Sequence, residues 1–143
     1  MAIEGIMESV ALDITSSTKT LFETMIMLDL QSDNAFFEDD TQIKTDVIGM
    51  VSFTGKYHGV IALFCSKRFA LKMASNMLMT DITNFTPEVK DAVGEVSSMI
   101  AGNVKTKLTA QYGEMYLTIP IVIAGDGLSI TAVDNHPVVA DTT

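Results

Sequence analysis

Residues 86–111 read TPEVKDAVGEVSSMIAGNVKTKLTAQ and open with the strongest helix start in the chain. Thr86 suits an N-cap, Pro87 the first helical position, and Glu88 and Asp91 complement the positive end of the helix dipole. Gly113 lies near the expected end. Wound at about 3.6 residues per turn, Val89, Val93, Val96, Ile100 and Val104 fall on one stripe, which must face a core. The opposite stripe carries Glu88, Asp91, Glu95, Ser98, Gly102, Thr106 and Thr109. That composition suits a solvated face, but Gly94 and Gly102 each cost about 1 kcal/mol relative to alanine inside a helix. With Ser98 and Ala101 they leave a low patch beside Glu95. Two readings remain open: a partner's backbone approaches there, or another helix packs closely there.

Outward from this helix, Ser66 can cap a shorter one over 67–79, with Phe69, Ala70, Met73, Ala74 and Met77 on one face. Before it, residues 43–54 and 57–65 are rich in Val, Ile and Phe and flank Gly55-Lys56, which is a hairpin signal. Residues 29–42 read as a loop of turn and solvent chemistry (Asp33-Asn34, Glu38-Asp39-Asp40), anchored by Phe36 and Phe37. Residues 1–28 carry apolar positions at helical spacing, weakened in the middle by Thr15-Ser16-Ser17-Thr18, where a break is possible. After the long helix, 115–124 and 128–133 flank Gly125-Asp126-Gly127 and predict a second hairpin, with Pro120 marking an edge or a bulge. Residues 134–143 read as a tail. The expectation is one α/β domain of the α+β type over 1–143, an antiparallel sheet of two hairpins covered by long helices. Helix plus hairpin then occurs twice, which hints at a duplication; Asp13 and Ser16 echo Glu95 and Ser98 only weakly.

Composition narrows the function. The 143 residues are 48% apolar and 19% charged, as in a folded globular protein, with a net charge of −9 that argues against nucleic acid. Cys65 is the single cysteine, so no internal disulfide can form, and its place in a strand predicts a buried, unreactive thiol. His58 and His136 lie far apart and form no metal signature. Neither a signal peptide nor a run of about 20 apolar residues is visible, and the expected setting is the cytoplasm, away from membrane. Glycine-rich phosphate loops and calcium-loop spacings are likewise missing from the sequence.

The run Asp91-Ala-Val-Gly-Glu95-Val-Ser-Ser98-Met-Ile-Ala-Gly-Asn103-Val-Lys105 resembles the signature helix of the CheC–CheX–FliY chemotaxis phosphatase family, closest to CheX. Leu21-Phe22-Glu23-Thr24-Met25 resembles the end of that family's first helix. Residues 117–125, LTIPIVIAG, resemble its strand with a central proline, here Pro120. The resemblance implies a CheX-like fold, a homodimer formed by extending the sheet across strand edges, and hydrolysis of the aspartyl phosphate on a CheY-type receiver. Such a protein brings no cofactor of its own; the receiver supplies Mg2+ and most of the active site. By the same resemblance Glu95 pairs with a receiver lysine, Asp91, Gly94, Gly102 and Lys105 flank the contact, and Asn103 matches a separate asparagine with a structural role. A spacing of three puts Glu95 and Ser98 on one face of the helix. The family's water-orienting asparagine, however, is Ser98 here. A hydroxyl is shorter than an amide and offers fewer fixed sites. The alternative is therefore a receiver-binding or scaffold protein with weak hydrolysis or none.

Overall fold

The structure is a computed structural model and describes residues 2–32, 36–138 and 141–142, with side chains over 8–30 and 42–131. Helix α1 spans Ala2–Leu21 and runs on into a π-helical turn, Phe22–Ile26. It does not break at the Thr/Ser run. The Thr15 hydroxyl donates back to the Ala11 carbonyl at 2.9 Å, and Ser17 and Thr18 are buried, so the helix absorbs these side chains. Met27, at φ 58°, then ends the segment in left-handed backbone.

Five longer elements follow two-residue β1, Gln31–Ser32: β2 (Phe36–Gly55), β3 (Gly59–Cys65), α2 (Lys67–Leu78), α3 (Pro87–Tyr112) and, after short β4 (Met115–Leu117), β5 (Ile121–Val138). A final β6, Asp141–Thr142, pairs with β1. The first hairpin forms as expected, Val47 opposite Cys65 through Phe53 opposite Gly59, with the reversal over Lys56–His58. Helix α2 begins on Ser66, whose hydroxyl accepts from the Phe69 N–H at 3.1 Å.

The expected class, an antiparallel sheet backed by helices, holds, but residues 115–133 do not form a second hairpin. β4 and β5 run in succession along the edge of β2 that β3 leaves free, Phe53 pairing with Leu117 and Met50 with Ile121. At Gly125-Asp126-Gly127 the chain makes a bulge rather than a turn, since Val47 pairs with Ala124 and Thr45 with Leu128. The reason is Asp46. Its carboxylate accepts from the Gly127 N–H at 3.0 Å and from the Lys67 N–H at 3.2 Å, while the Lys67 ammonium pairs with Asp126. Gly127 takes φ 60°, which glycine adopts without strain. These bonds to the charged form hold the Asp46 carboxyl below its ordinary value, the Gly127 bond contributing most.

Two stretches read as loop and tail are strand as well. Residues 36–42 pair with 131–138 as the far end of the same ladder, Phe36 opposite Val138. Charged and turn-forming residues hid this pairing, because the ladder uses backbone groups that every non-proline residue carries. The turn expected at Asp33-Asn34 and the anchoring expected of Phe36 and Phe37 fall outside the described residues and side chains. The second helical unit thus leads into one interrupted strand and does not copy the first in connectivity.

The core lies between the sheet and α3. Val89, Val93, Val96, Ile100 and Val104, the predicted stripe, are all buried, and Phe22, Ile26, Val47, Met73 and Val51 are buried with them. Helix α3 sits close on the central strand because Gly49 faces Ser97; a Cβ at Gly49 would overlap the Ser97 hydroxyl. Among the described residues no helix is long and apolar enough to cross a membrane.

Candidate functional site

With its apolar stripe pressed on β2, α3 turns the opposite face outward. Glu95 and Asp91 are exposed and Ser98 is half-buried, all on that face. The three hydroxyls along this part of the helix differ. Ser97 donates back to the Val93 carbonyl at 2.8 Å and Thr106 to the Gly102 carbonyl at 3.0 Å, whereas Ser98 has no such partner among the described residues. The Glu95 carboxylate likewise makes no hydrogen bond or ion pair among them. A free carboxylate and a free hydroxyl one turn apart can pair with a cation and hold a water or a polar group.

The two glycines have separate roles. A Cβ at Gly102 would meet nothing within 4 Å, so this position leaves open space one turn beyond Ser98. Gly94 is buried, with Val122 and Pro120 at 3.4 and 3.6 Å from where its Cβ would stand. A methyl group there would make ordinary van der Waals contact with these two residues; Gly94 faces them and is not part of the outward surface as expected. The neighbour across the gap is a strand and not the first helix. Lys105 is half-buried beside the face. Asn103, expected to bond within the fold, is exposed and has no side-chain partner among the described residues. Pro120 sits at the break between β4 and β5. There Thr118 restores the ladder: its N–H donates to the Ser52 carbonyl and its hydroxyl accepts from the Ser52 N–H, both at 3.0 Å.

Asp13 and Ser16, the weak echo on α1, meet Lys107 of α3. The ammonium lies 3.7 Å from the Asp13 carboxylate and donates to the Ser16 hydroxyl at 2.9 Å, which ties the helices together. Elsewhere, an apolar cleft of about 460 Å³ runs between α1 and β3, lined by Phe22, Ile61, Leu63, Cys65, Phe69 and Ile100 among others. Glu95 and Ser98 do not line it. Cys65 is protonated there: burial first, then the nearby Asp46 charge, push its thiol up to about 12. Among the described residues no group of three or more His, Cys, Asp and Glu is placed to hold a metal ion.

Comparison with known proteins agrees with this architecture. The family model described as "Chemotaxis phosphatase CheX" matches residues 47–142, more than half of the chain, and the chain belongs to that family. A CheX from Desulfovibrio desulfuricans is 30% identical, with a TM-score of 0.81 over 93% of this chain and 89% of that one. A CheC-like superfamily protein from Shewanella sp. PV-4 superposes with a TM-score of 0.84 at 23% identity, covering 94% of this chain and 89% of that one. The CheX–CheY–BeF3–Mg2+ complex from Borrelia burgdorferi superposes at 0.68 with 18% identity, covering 92% of this chain and 96% of that one. None of the curated proteins matches.

Proposed function

We propose that this chain docks a phosphorylated CheY-type receiver on the outward face of α3 and promotes hydrolysis of its aspartyl phosphate. The observation that carries this reading is the pair Glu95 and Ser98, on one exposed face with no internal partners. Glu95 pairs with a receiver lysine, and Ser98 stands where water must be oriented for in-line attack on phosphorus. Asp91, Gly102 and Lys105 border the contact. The receiver carries the Mg2+; a CheY is present with Mg2+ in the similar Borrelia burgdorferi complex. Phosphoryl transfer asks a protein chiefly for positioning and charge stabilisation, which a rigid helix face can supply without a nucleophile. A cytoplasmic receiver places this activity in the cytoplasm.

Ser98 itself favours a second reading. A lost water-positioning group costs a hundredfold or more in rate, roughly 3 kcal/mol, so the chain is equally a candidate receiver-binding scaffold whose hydrolysis has lapsed. The decay of a phosphorylated CheY-type receiver from the same organism separates the two. Acceleration by the natural chain that Glu95→Ala abolishes establishes a phosphatase working with serine. No acceleration, with activity gained by Ser98→Asn, identifies a lapsed binder. If neither form speeds decay nor binds, the reading falls.

We also infer a homodimer joined along a strand edge. β3 ends the sheet with its outer backbone groups unpaired by any described strand, and the apolar cleft runs beside it. Multi-angle light scattering on the full chain tests this; a monomer at micromolar concentration refutes it.

A further inference from the structure

The space between α1 and β3 is not filled. Protein interiors pack to the density of organic crystals, with few voids larger than a water molecule. Here the cleft measures about 460 Å³, roughly three times a dry cavity that takes one benzene. Side chains from all three α-helices, the π-helical turn and β3 wall it, among them Ile14, Thr18, Phe22, Leu63, Phe69 and Ile100. Leu63 pairs with Gly49, which faces Ser97 of α3, so the cleft stands on the helix side of the sheet. A strand added along the β3 edge would lie in the plane of the sheet instead.

The chemistry of the lining narrows what can enter. No charged side chain is part of it among the described residues. Its one thiol, Cys65, is held neutral by burial. Three hydroxyls line it, and two are engaged: Ser66 accepts from the Phe69 N–H, and Ser97 donates to the Val93 carbonyl. The third is Thr18. It is only 6% exposed, and its hydroxyl makes no hydrogen bond among the described residues. Thr15 and Thr24 on the same helical segment both donate back to the preceding turn, and Thr18 does not. Buried polar groups carry partners as a rule, since an unmade bond costs free energy. A free hydroxyl in the wall of an otherwise apolar cleft is the arrangement of a ligand pocket, in which a few polar groups orient a mostly apolar guest.

We propose that the cleft binds a small uncharged ligand, mostly apolar, whose single hydrogen-bonding group is held by the Thr18 hydroxyl. The volume suits a ligand on the order of 10–20 non-hydrogen atoms. This site is separate from the outward face of α3 and does not depend on receiver docking.

The test uses the full chain and 1-aminoanthracene, an uncharged dye that brightens on leaving water. One saturable site per chain is expected. 1-Decanol should displace the dye at least about tenfold more tightly than decanoate, because no cation meets a carboxylate in the cleft. Thr18→Val, with its fold checked by circular dichroism, should weaken 1-decanol about threefold to tenfold and leave 1-chlorodecane within about twofold. Leu63→Trp should fill the cleft and abolish dye binding. Val60→Ser and Ile121→Ser alter exposed residues on the sheet face away from α3 and should change nothing. Absence of a saturable site overturns the proposal, as does loss of binding in either of these two variants, which would put the dye on the open sheet face. It also fails if decanoate competes as well as 1-decanol, or if Thr18→Val weakens both decyl compounds alike. Light scattering supplies the last check: if dimer formation expels the dye, a second copy occupies the cleft and the ligand site is wrong.

Discussion

The two faces of α3 have opposite physical characters. The inner face, Val89 to Val104, is dry and interlocked with the sheet, down to the Gly49–Ser97 contact where no methyl group fits. The outer face carries unpartnered groups and, at Gly102, empty space. One helix thus anchors the fold on one side and leaves the other free of folding duties. Substitutions on the inner face should be read out in stability, and those on the outer face in what the protein binds or hydrolyses.

That contrast can be broken or sharpened by experiment. The largest effect is expected from Val96→Asp, which buries an unpaired charge and should cost about 4 kcal/mol, seen in urea denaturation as a lowered midpoint or a failure to fold. Gly49→Ala should cost about 2 kcal/mol by overpacking against Ser97, by the same measurement. Asp46→Asn probes the clamp below the helix layer. Because the folded Asp46 carboxyl titrates below its ordinary value of 3.8, its contribution is fully present above that pH and is lost as pH falls through the folded value. The natural chain should therefore be more stable than the variant at neutral pH, with the difference vanishing in an acid titration. Smallest of all, Glu95→Ala and Ser98→Asn should shift stability by under about 0.5 kcal/mol while changing receiver binding or phosphate decay. A large loss of stability from either would show that the outer face also supports the fold.

Much of this was legible in the sequence because it is local. The capping residues of α2, the Thr86-Pro87-Glu88 start, the valine stripe and the first hairpin depend on residues within a few positions of one another. So did the shared face of Glu95 and Ser98, which helical spacing alone dictates. Other features were hidden. Gly94 and Gly102 look alike in sequence, yet one is filled by Pro120 and Val122 and the other is open. Asn103 projects outward with no described partner. Lys107 binding Asp13 and Ser16 required knowing that α1 lies beside α3.

The two glycine-bearing junctions mark the boundary most clearly. At Gly55 the chain turns back and β3 pairs with β2 next to it in sequence. At Gly125-Asp126-Gly127 it has equally good turn residues and passes straight through, held by a carboxylate from Asp46 that lies 81 positions earlier. The sequence by itself determined helix periods, caps, the core-facing stripe and the polar pair on α3, since each follows from short-range geometry. Only the tertiary structure decided which strand edges paired, which glycine packed against a strand and which was left open. Those outcomes depend on long-range hydrogen bonds and packing, which form only when distant segments meet.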